Sequence, residues 1–279
     1  MAATEPAARP LTPDDLPDLA ALVAEAGWNQ TAADWERMLD LGTGRGMTDG
    51  AGRVIASAVT MPYAGLGWIG MVLVATAWRR RGIATGLLEW AIGRLLGAGL
   101  TPGLDATPAG QAVYRRLGFA GGFALTRWRR PAGGAPPAAP GAGVSRASAA
   151  DLDWIAALDA RAFGAGRREL LARWLADDAP GWTAGRSGFL LQRPGRAARH
   201  LGPLCAEDAE TAGRLLAGAL HEAAGPLLVD VPDARAGIAG LLARSGFAPE
   251  RPFLRMYLGA ADRTGAPGPL HAIAGPELG

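Results

Sequence analysis

The hydrophobic pattern in the first third of the chain predicts a buried strand followed by a helix. Residues 68–74 are almost all apolar and lack the alternation of a half-exposed strand, which is typical of a strand covered on both faces. Further on, apolar positions recur at a period near 3.6, as on one face of a helix: Ile83, Leu87, Leu88, Ala91, Ile92, Leu95 and Leu96. A short loop between these elements contains three successive arginines and Gly82.

Polar and apolar positions nearer the N-terminus predict two more helices. Residues 12–15, Thr-Pro-Asp-Asp, have the residue types of a helix start, and Gly27 ends the apolar pattern that follows. A second, shorter helix is predicted over about residues 31–39. Residues 45–74 are typical of strands joined by tight turns. The predicted fold class is therefore α/β (α+β), with a mixed central sheet flanked by helices.

A low-complexity segment divides the chain into two similar halves. Residues 131–143 consist of Pro, Ala and Gly, which predicts a linker between one domain at 1–130 and another at 144–279. Each predicted domain contains a helix followed by Gly-Phe, and an arginine stands eight residues after each phenylalanine, at Arg127 and Arg255. We therefore expect two tandem copies of one fold.

The arginine-rich loop is the first candidate site. Backbone N–H groups at a helix start have no partner inside the helix, and the helix dipole favours an anion there. Gly82 would let a ligand approach the main chain, and the neighbouring arginines carry donors suited to phosphate. We interpret the loop as a diphosphate cradle. An arginine run can also be a solvated turn or a nucleic-acid patch, and the glycine spacing matches neither a Walker loop nor a dinucleotide fingerprint.

Composition narrows the class of protein. The chain of 279 residues has 28 basic residues, all of them arginine, and a net charge of +2, which argues against a general nucleic-acid binder. A single cysteine, Cys205, excludes an intrachain disulfide and indicates a reducing, cytoplasmic setting. Residues 54–78 carry no charge, but Pro62 and several glycines favour strands over a membrane span. We expect no nucleic-acid and no membrane partner.

Two motifs together resemble those of the GNAT superfamily of N-acetyltransferases. They are Arg79-x-x-Gly82-x-Ala84 after an apolar strand, and Tyr114-x-x-x-Gly118-Phe119 on a later helix. The resemblance implies acetyl-CoA as co-substrate and no metal. It assigns the cofactor contacts to the main chain of the central strand and to the loop: Val72, Leu73, Val74, Arg79, Arg80, Arg81, Gly82, Ile83, Ala84 and Thr85.

The same resemblance gives two residues candidate catalytic roles. Tyr114 corresponds to the family's tyrosine that protonates the departing thiolate, and a core aromatic with its hydroxyl at the rim is the structural alternative. The first predicted domain has no histidine, so the general base is a carboxylate or water. Asp105 is the candidate for base or substrate anchor, and capping of the turn at Thr107 is an equal alternative.

Residues between the first two helices line the acceptor side in proteins of this family. By that resemblance, Trp28, Asn29 and Gln30 are candidate substrate contacts. The structural alternative is that Trp28 packs on the sheet while Asn29 and Gln30 cap the next helix. The residues alone leave both interpretations open.

The second half lacks the residues that carry the chemistry. After its candidate central strand come three carboxylates, Glu207, Asp208 and Glu210, which would repel a pyrophosphate. Leu242 stands four residues before Gly246, where the first half has Tyr114. The arrangement resembles a bacterial tandem-domain subgroup of the family whose second domain is degenerate.

The predicted function is a cytoplasmic, acetyl-CoA-dependent N-acetyltransferase. It would transfer an acetyl group to the amine of a small-molecule or amino-acid-like acceptor, as a monomer or homodimer. The alternative is a non-catalytic module that senses coenzyme A or binds another ligand. The missing histidine keeps that alternative open, while the intact loop motif and Tyr114 favour the enzyme.

Overall fold

The structure is a computed structural model that describes residues 5–133, 143–176, 180–259 and 266–279. These residues form two compact units. The first comprises the described chain up to Leu104 together with residues 195–197 and Leu278. The second comprises the described parts of Asp105–Pro194 and Ala198–Glu277, with Gly279.

Strands and helices are numbered in chain order. The strands are β1 (Ala7–Pro10), β2 (Thr43–Thr48), β3 (Val54–Pro62), β4 (Leu66–Val74), β5 (Thr101–Ala106), β6 (Phe119–Arg130), β7 (Ser145–Arg146), β8 (Gly181–Thr183), β9 (Gly188–Arg193), β10 (Arg199–Ala206), β11 (Leu227–Pro232), β12 (Ala248–Leu258) and β13 (Leu270–Ala272). The helices are α1 (Leu16–Glu25), α2 (Ala32–Leu41), α3 (Ile83–Gly97), α4 (Pro108–Arg116), α5 (Leu152–Phe163), α6 (Arg168–Ala176), α7 (Ala209–Glu222) and α8 (Ala236–Arg244).

In the first unit, β1 to β4 form an antiparallel sheet, and β5 runs parallel to β4. β3 is buried along nearly its whole length because helices cover it. Ala56 and Ala58 of β3 pack against Leu87 of α3, and α1 and α2 also contact this strand. The core of the unit is therefore centred on β3.

Both predicted N-terminal helix starts are present. Thr12 precedes a 3₁₀ turn that leads into α1, and its N–H donates to the carboxylate of Asp15 at 2.8 Å. Thr31 caps α2 in the same way, with its N–H 2.8 Å from the carboxylate of Asp34. Such reciprocal caps satisfy backbone donors that a helix leaves unpaired. The two predictions are confirmed.

The second unit contains strands from both predicted repeats. Its sheet has the order β12-β6-β11-β10-β9-β8-β7, with β13 beside β10. β6 precedes the predicted linker, yet it pairs antiparallel with both β11 and β12. The packing therefore divides the chain at Leu104, whereas the sequence predicts a boundary at residues 131–143, of which 134–142 lie outside the described residues. The predicted domain limits follow the order of the repeats along the chain and stay a prediction.

Two buried ion pairs join the repeats in a crossed arrangement. Arg127 of β6 donates to Asp230 of β11 at 2.8 and 2.7 Å. Arg255 of β12 donates to Asp105 of β5 at 2.9 and 2.7 Å. All four side chains are buried. Each repeat thus supplies the arginine that pairs with the aspartate of the other, which explains why the arginines recur eight residues after Phe119 and Phe247.

No helix in the described ranges is long and apolar enough to cross a membrane. The charge-free residues 54–78 instead form β3, β4 and the turn that follows. The prediction that this stretch consists of strands is confirmed.

We expect Asp230→Asn to lower the free energy of unfolding by about 3–5 kcal/mol, because it breaks the buried ion pair with Arg127. The matched control is Asp153→Asn, which breaks the exposed pair with Arg168 and should cost less than about 1 kcal/mol. Urea denaturation followed by circular dichroism measures both. Equal losses in the two variants would contradict a structural role for the buried pair.

We also expect stability to fall in acid. Burial alone would raise the pKa of Asp230, but Arg127 and His200 bond the carboxylate and hold the pKa below that of an unfolded aspartate, ~3.9. The pair's contribution is therefore complete above about pH 4 and is lost as pH falls through the folded-state pKa. Burial also lowers the pKa of His200, so stability declines already below about pH 6.5. Urea denaturation from pH 7 to 3 should show this decline, with a smaller slope below about pH 4 in Asp230→Asn; an unchanged slope would contradict the assignment.

Candidate functional site

The arginine-rich loop joins β4 to α3, as the sequence predicts. A 3₁₀ turn over Thr76–Trp78 follows the strand, and Gly82 is the N-cap of α3. Gly82 has φ +77°, a left-handed conformation that glycine adopts without steric cost. A Cβ at this position would meet no atom within 4 Å, so the space in front of the helix start is open.

The first turn of α3 presents unbonded N–H groups at this loop. The N–H of Gly86 donates to the carbonyl of Gly82 at 3.0 Å, which starts the hydrogen-bond ladder of the helix. The N–H groups of Ile83, Ala84 and Thr85 precede that bond and have no intrahelical acceptor. Together with the positive end of the helix dipole, they form a geometry suited to a phosphate.

The three arginines of the loop make different contacts. Arg79 is turned back on the strand, and its Nε donates to the carbonyl of Val74 at 3.0 Å. Arg81 lies over the Trp78 ring, 4.8 Å from its centroid, and donates to the carbonyl of Ala77 at 3.3 Å. Arg80 is exposed and has φ +60°, which is unusual for a residue with a side chain. All three arginines are exposed, and Arg79 and Arg81 also bond carbonyls of the strand end and the loop.

β4 has an irregular edge where the family resemblance places the main-chain contacts with the cofactor. Ser57 lies opposite Leu73 and Val59 opposite Gly70, so β4 has an extra residue between them. Met71 in this bulge has φ +53°, and its carbonyl accepts from the Ser57 hydroxyl at 2.9 Å.

The parallel pairing of β4 with β5 stops early. It runs from Leu66 opposite Thr101 to Trp68 opposite Gly103, and within the described chain it does not continue further along β4. The main chain of Val72, Leu73 and Val74 thus pairs with β3 on one side and lies beyond the part of β4 that pairs with β5 on the other. A splayed strand pair of this kind offers backbone donors and acceptors to an extended amide-containing ligand.

The second repeat has the same short pairing of two parallel strands but differs from the first beyond it. Residues Arg199 to Leu201 of β10 pair in parallel with residues Leu227 to Val229 of β11, and a bulge follows. Beyond it, β13 pairs with β10, with Leu204 opposite Ala272, and the N–H of Ile273 donates to the carbonyl of Asp230 in β11 at 3.0 Å. A segment of the chain itself therefore fills the gap that stays unpaired at β4.

The helix start after β10 is also occupied. Asp208 is the N-cap of α7, and its carboxylate accepts from the N–H of Thr211 at 2.7 Å. A carboxylate thus lies where the first repeat has Gly82 and open space. Leu242, at the position that corresponds to Tyr114, is fully buried in the core. In the second repeat the chain's own residues therefore occupy the positions that are open in the first.

Asp105 is engaged in the ion pair with Arg255. Both carboxylate oxygens accept hydrogen bonds from the guanidinium and do not cap the turn at Thr107. Burial raises the pKa of Asp105, and Arg255 opposes that rise. Proton uptake by Asp105 would break its ion pair with the buried Arg255, which disfavours a base and is compatible with a fixed anchor.

Tyr114 lies on α4 in the second unit, where it packs edge-to-face on Phe119 with 6.1 Å between the ring centroids. Gly110, one turn earlier, makes room for the ring, since a Cβ there would lie 2.6 Å from the Tyr114 Cε2. Burial raises the pKa of Tyr114 to about 12, so its hydroxyl is protonated at neutral pH. The tyrosine is thus a packed aromatic that also retains a proton to donate.

Trp28, Asn29 and Gln30 lie in the first unit, and the first two bind residues 196 and 197. The carbonyl of Asn29 accepts from the N–H of Arg196 at 2.7 Å, and its side-chain oxygen accepts from the N–H of Ala197 at 2.9 Å. Arg196 also donates to the carbonyl of Trp28 at 2.9 Å. The alternative that Asn29 and Gln30 cap the next helix is wrong, because Thr31 caps α2.

Residues that the sequence reasoning missed lie in the same unit. Arg196 and Ala197 hold the loop at Asn29, and the Tyr63 hydroxyl donates to the carbonyl of Leu278 at 3.1 Å. These contacts span 168 and 215 positions along the chain. No local pattern marks such partners, so only the folded structure reveals them.

Comparisons with known proteins agree with this geometry. A family model described as an acetyltransferase (GNAT) domain matches residues 44–120, and a second model with the same description matches residues 155–271. No curated protein matches the sequence. Together the two matches extend over well over half of the chain. The chain therefore belongs to the GNAT acetyltransferase family, is an acetyltransferase, and carries two GNAT domains in tandem.

Solved structures share the fold. A protein from Pyrococcus horikoshii, titled as an acetyltransferase, is similar with TM-score 0.84 and 21% identity over 98% of this chain and 96% of its own. A tandem GNAT protein from the clavulanic acid biosynthesis pathway has TM-score 0.64 and 16% identity over 91% and 98% of the two chains. A GCN5-related N-acetyltransferase from Sphaerobacter thermophilus has TM-score 0.64 and 16% identity over 90% and 95%. At these identities the likeness concerns the fold.

We expect Gly110→Ala to destabilise the protein by about 1–3 kcal/mol, because the new methyl group overlaps the Tyr114 ring. Gly93→Ala is the matched control within a helix, since a Cβ there meets no atom within 4 Å and alanine is the better helix former. Thermal denaturation should show a lower Tm for the first variant and an unchanged or higher Tm for the second. A stable Gly110→Ala protein would contradict the packing assigned to Tyr114.

Proposed function

We propose that this chain transfers an acetyl group from acetyl-CoA to the amine of a small-molecule or amino-acid-like acceptor. The observation that carries the proposal is that three features follow one another along the chain. They are the edge of β4 that does not pair with β5, the bulge in β4, and the glycine-capped start of α3. An extended pantetheine arm requires backbone partners such as those of the strand edge, and the diphosphate attached to it requires an anion site such as the helix start.

In this proposal the loop holds the diphosphate. The N–H groups of Ile83, Ala84 and Thr85 donate to its oxygens, and Arg80 and Arg81 add charge-assisted contacts. Arg79 acts through the carbonyl of Val74 by keeping the loop in place. The main chain of Val72, Leu73 and Val74 pairs with the amides of the pantetheine arm.

The chemistry needs a neutral amine, a polarised thioester carbonyl and a proton for the thiolate. An alkyl amine with a pKa near ~10.4 is neutral in only about one molecule in a thousand at pH 7, so its deprotonation must accompany binding. Backbone N–H groups at the β4 bulge would stabilise the oxyanion. Tyr114 would protonate the sulfur. Asp105 would serve as an anchor for the site, since its pairing with Arg255 disfavours proton uptake.

Trp28, Asn29 and Gln30 are the proposed acceptor contacts. Asn29 uses its backbone and side-chain oxygens to hold residues 196 and 197, which fixes the position of this loop. The half-buried indole of Trp28 would contact its apolar part. A small acceptor suits this set of short-range contacts.

A ligand-binding module without turnover is the second candidate. The engagement of Asp105 with Arg255 supports it, because no free carboxylate base is then assigned to the reaction. One measurement distinguishes the two candidate functions. Release of coenzyme A that depends on an added amine, in a broad amine panel, indicates the enzyme, and amine-independent slow hydrolysis indicates the module.

Isothermal titration calorimetry should show one acetyl-CoA bound per chain, because β13 and Asp208 occupy the corresponding features of the second repeat. Gly82→Ala should weaken this binding by about tenfold or more, since a methyl group enters the space in front of the N–H groups. Gly52→Ala is the matched control: it has φ +81°, an open environment and no place in the site. Both variants should lose about 1–2 kcal/mol of stability from the left-handed conformation, but only the first should lose affinity. If the unaltered protein does not bind acetyl-CoA, the proposed function is wrong.

Tyr114→Phe should lower kcat by about 10²-fold or more while the affinity for acetyl-CoA stays the same, because the ring remains and only the donated proton is lost. Stopped assays with a thiol reagent measure kcat, and calorimetry measures binding. Unchanged turnover would show that Tyr114 is a packing residue alone.

A further inference from the structure

A cavity of about 280 Å³ lies in the second unit, where α7 ends at Glu222. Trp182 of β8 and Gln192 of β9 line it, together with Arg146 of β7 and Arg199 of β10. The start of α7, which corresponds to the start of α3 in the first repeat, is at the opposite end of this 14-residue helix. The cavity is therefore distinct from the counterpart of the arginine-rich loop.

The lining residues of β7, β8 and β9 share one face of the sheet. Arg146 lies opposite Trp182 in the pairing of β7 with β8, and Trp182 lies opposite Leu190 in that of β8 with β9. Gln192 is two residues beyond Leu190, and residues two apart on a strand lie on the same face. α7 covers this face, since Trp182 and Leu190 belong to one core cluster with Leu215 of the helix. Where α7 ends, the polar end of the face borders the cavity.

Two buried polar atoms of the lining residues have no hydrogen-bond partner within the described chain. They are the indole Nε1 of Trp182, which is a donor, and the side-chain Oε1 of Gln192, which is an acceptor. Trp182 is 2% exposed and Gln192 is 7% exposed. A buried polar group without a partner costs free energy, so proteins nearly always satisfy it with their own groups, with water or with a ligand. A polar ligand that reaches these two atoms would satisfy both.

The exposed side of the cavity carries charges of both signs. Arg146 forms an ion pair with Glu222, and its guanidinium lies 5.0 Å from the centroid of the Trp182 ring. Arg199 donates from Nη1 to the carbonyl of Ala224. Among the residues that the structure describes, Arg199 has no acidic partner in an ion pair. Two guanidinium groups and one carboxylate give the cavity a net positive charge and one place for a cation.

Size and charge together favour a small zwitterion as the ligand. Pockets for drug-sized ligands usually measure about 300–1,000 Å³, so this cavity suits a smaller molecule. A guanidinium binds a carboxylate through two parallel hydrogen bonds, and the carboxylate of Glu222 attracts an ammonium group. Inorganic phosphate would satisfy the arginines but would offer no group of opposite charge to Glu222.

We propose that this cavity binds a free amino acid. Its α-carboxylate is held by Arg199, its ammonium group faces Glu222, and a polar side chain reaches Trp182 and Gln192. The site consists of other residues than the acceptor contacts proposed between α1 and α2. The inference does not rest on the proposed function, because every lining residue belongs to the second unit and none is assigned to the cofactor or the reaction.

The test begins with a screen of the standard L-amino acids against the full chain, without acetyl-CoA. A rise in Tm identifies the amino acid that binds most tightly, and calorimetry gives its affinity. Two derivatives of that amino acid are titrated beside it: the α-amide, which lacks the negative charge, and the N-acetyl derivative, which lacks the positive charge. Inorganic phosphate is titrated as a simple anion. Circular dichroism establishes that each variant is folded before its affinity is compared.

The unaltered protein should bind the amino acid about tenfold or more tightly than either derivative. Arg199→Met should reduce the preference over the α-amide to less than about threefold and leave the preference over the N-acetyl derivative unchanged. Gln192→Leu should weaken the amino acid by about threefold or more without lowering the Tm of the free protein, because it also removes the unpartnered oxygen. Arg161→Met is the charge-matched control: Arg161 forms an exposed ion pair with Glu207 outside the lining, and its loss should not change the affinity.

Three results would overturn the inference. If no amino acid raises the Tm, the cavity is not a site for this class of ligand. If phosphate binds as tightly as the best amino acid, the cavity is a site for simple anions. If Arg199→Met retains the full preference for the carboxylate, the amino acid binds elsewhere on the chain. Each of these results leaves the proposed function standing, since the binding of acetyl-CoA to the unaltered protein tests that function separately.

Discussion

The need to satisfy backbone hydrogen-bonding groups at the edge of a splayed strand governs both halves of this protein. A buried main-chain N–H or C=O that lacks a partner costs as much as a lost hydrogen bond, so a gap between two parallel strands has to be filled. At β10 the chain fills it with β13. At β4 the pairing with β5 ends after Trp68, and the edge beyond it is free of any described strand. In the second repeat the chain itself thus closes the gap between the strands. In the first repeat the gap stays open and is a candidate ligand site.

The helix starts that follow these strands repeat the same contrast. α7 begins with Asp208, whose carboxylate satisfies a first-turn N–H from within the chain. α3 begins with Gly82, which has no side chain to do so and whose left-handed backbone leaves the N–H groups facing open space. An intramolecular carboxylate and an external phosphate are alternative partners for the same donors. The difference of a single residue type therefore separates a capped helix from a helix start that is a candidate anion site.

The crossed ion pairs explain why the repeats are not independent in the fold. Arg127 and Arg255 each bind an aspartate from the other repeat, and β6 pairs with strands on the far side of the predicted linker. A buried carboxylate without a charged partner is strongly destabilising, so these pairs fix the strands in register. The packing boundary at Leu104 follows from this exchange. The same exchange pairs Asp105 with Arg255, which disfavours Asp105 as the general base.

The sequence by itself determined the elements whose causes are local. Capping residues placed the starts of α1 and α2, apolar runs placed β4 and α3, and the two repeats were visible because each carries the same helix and Gly-Phe pattern. Only the tertiary structure decided what those residues contact. The partners of Asp105, Asn29 and β10 come from positions 150, 168 and about 70 residues away, and no local period encodes a contact at that distance. The loop at Gly82 was readable because its chemistry lies within a few consecutive residues, whereas the open edge of β4 beside it depends on where the pairing with β5 ends in three dimensions.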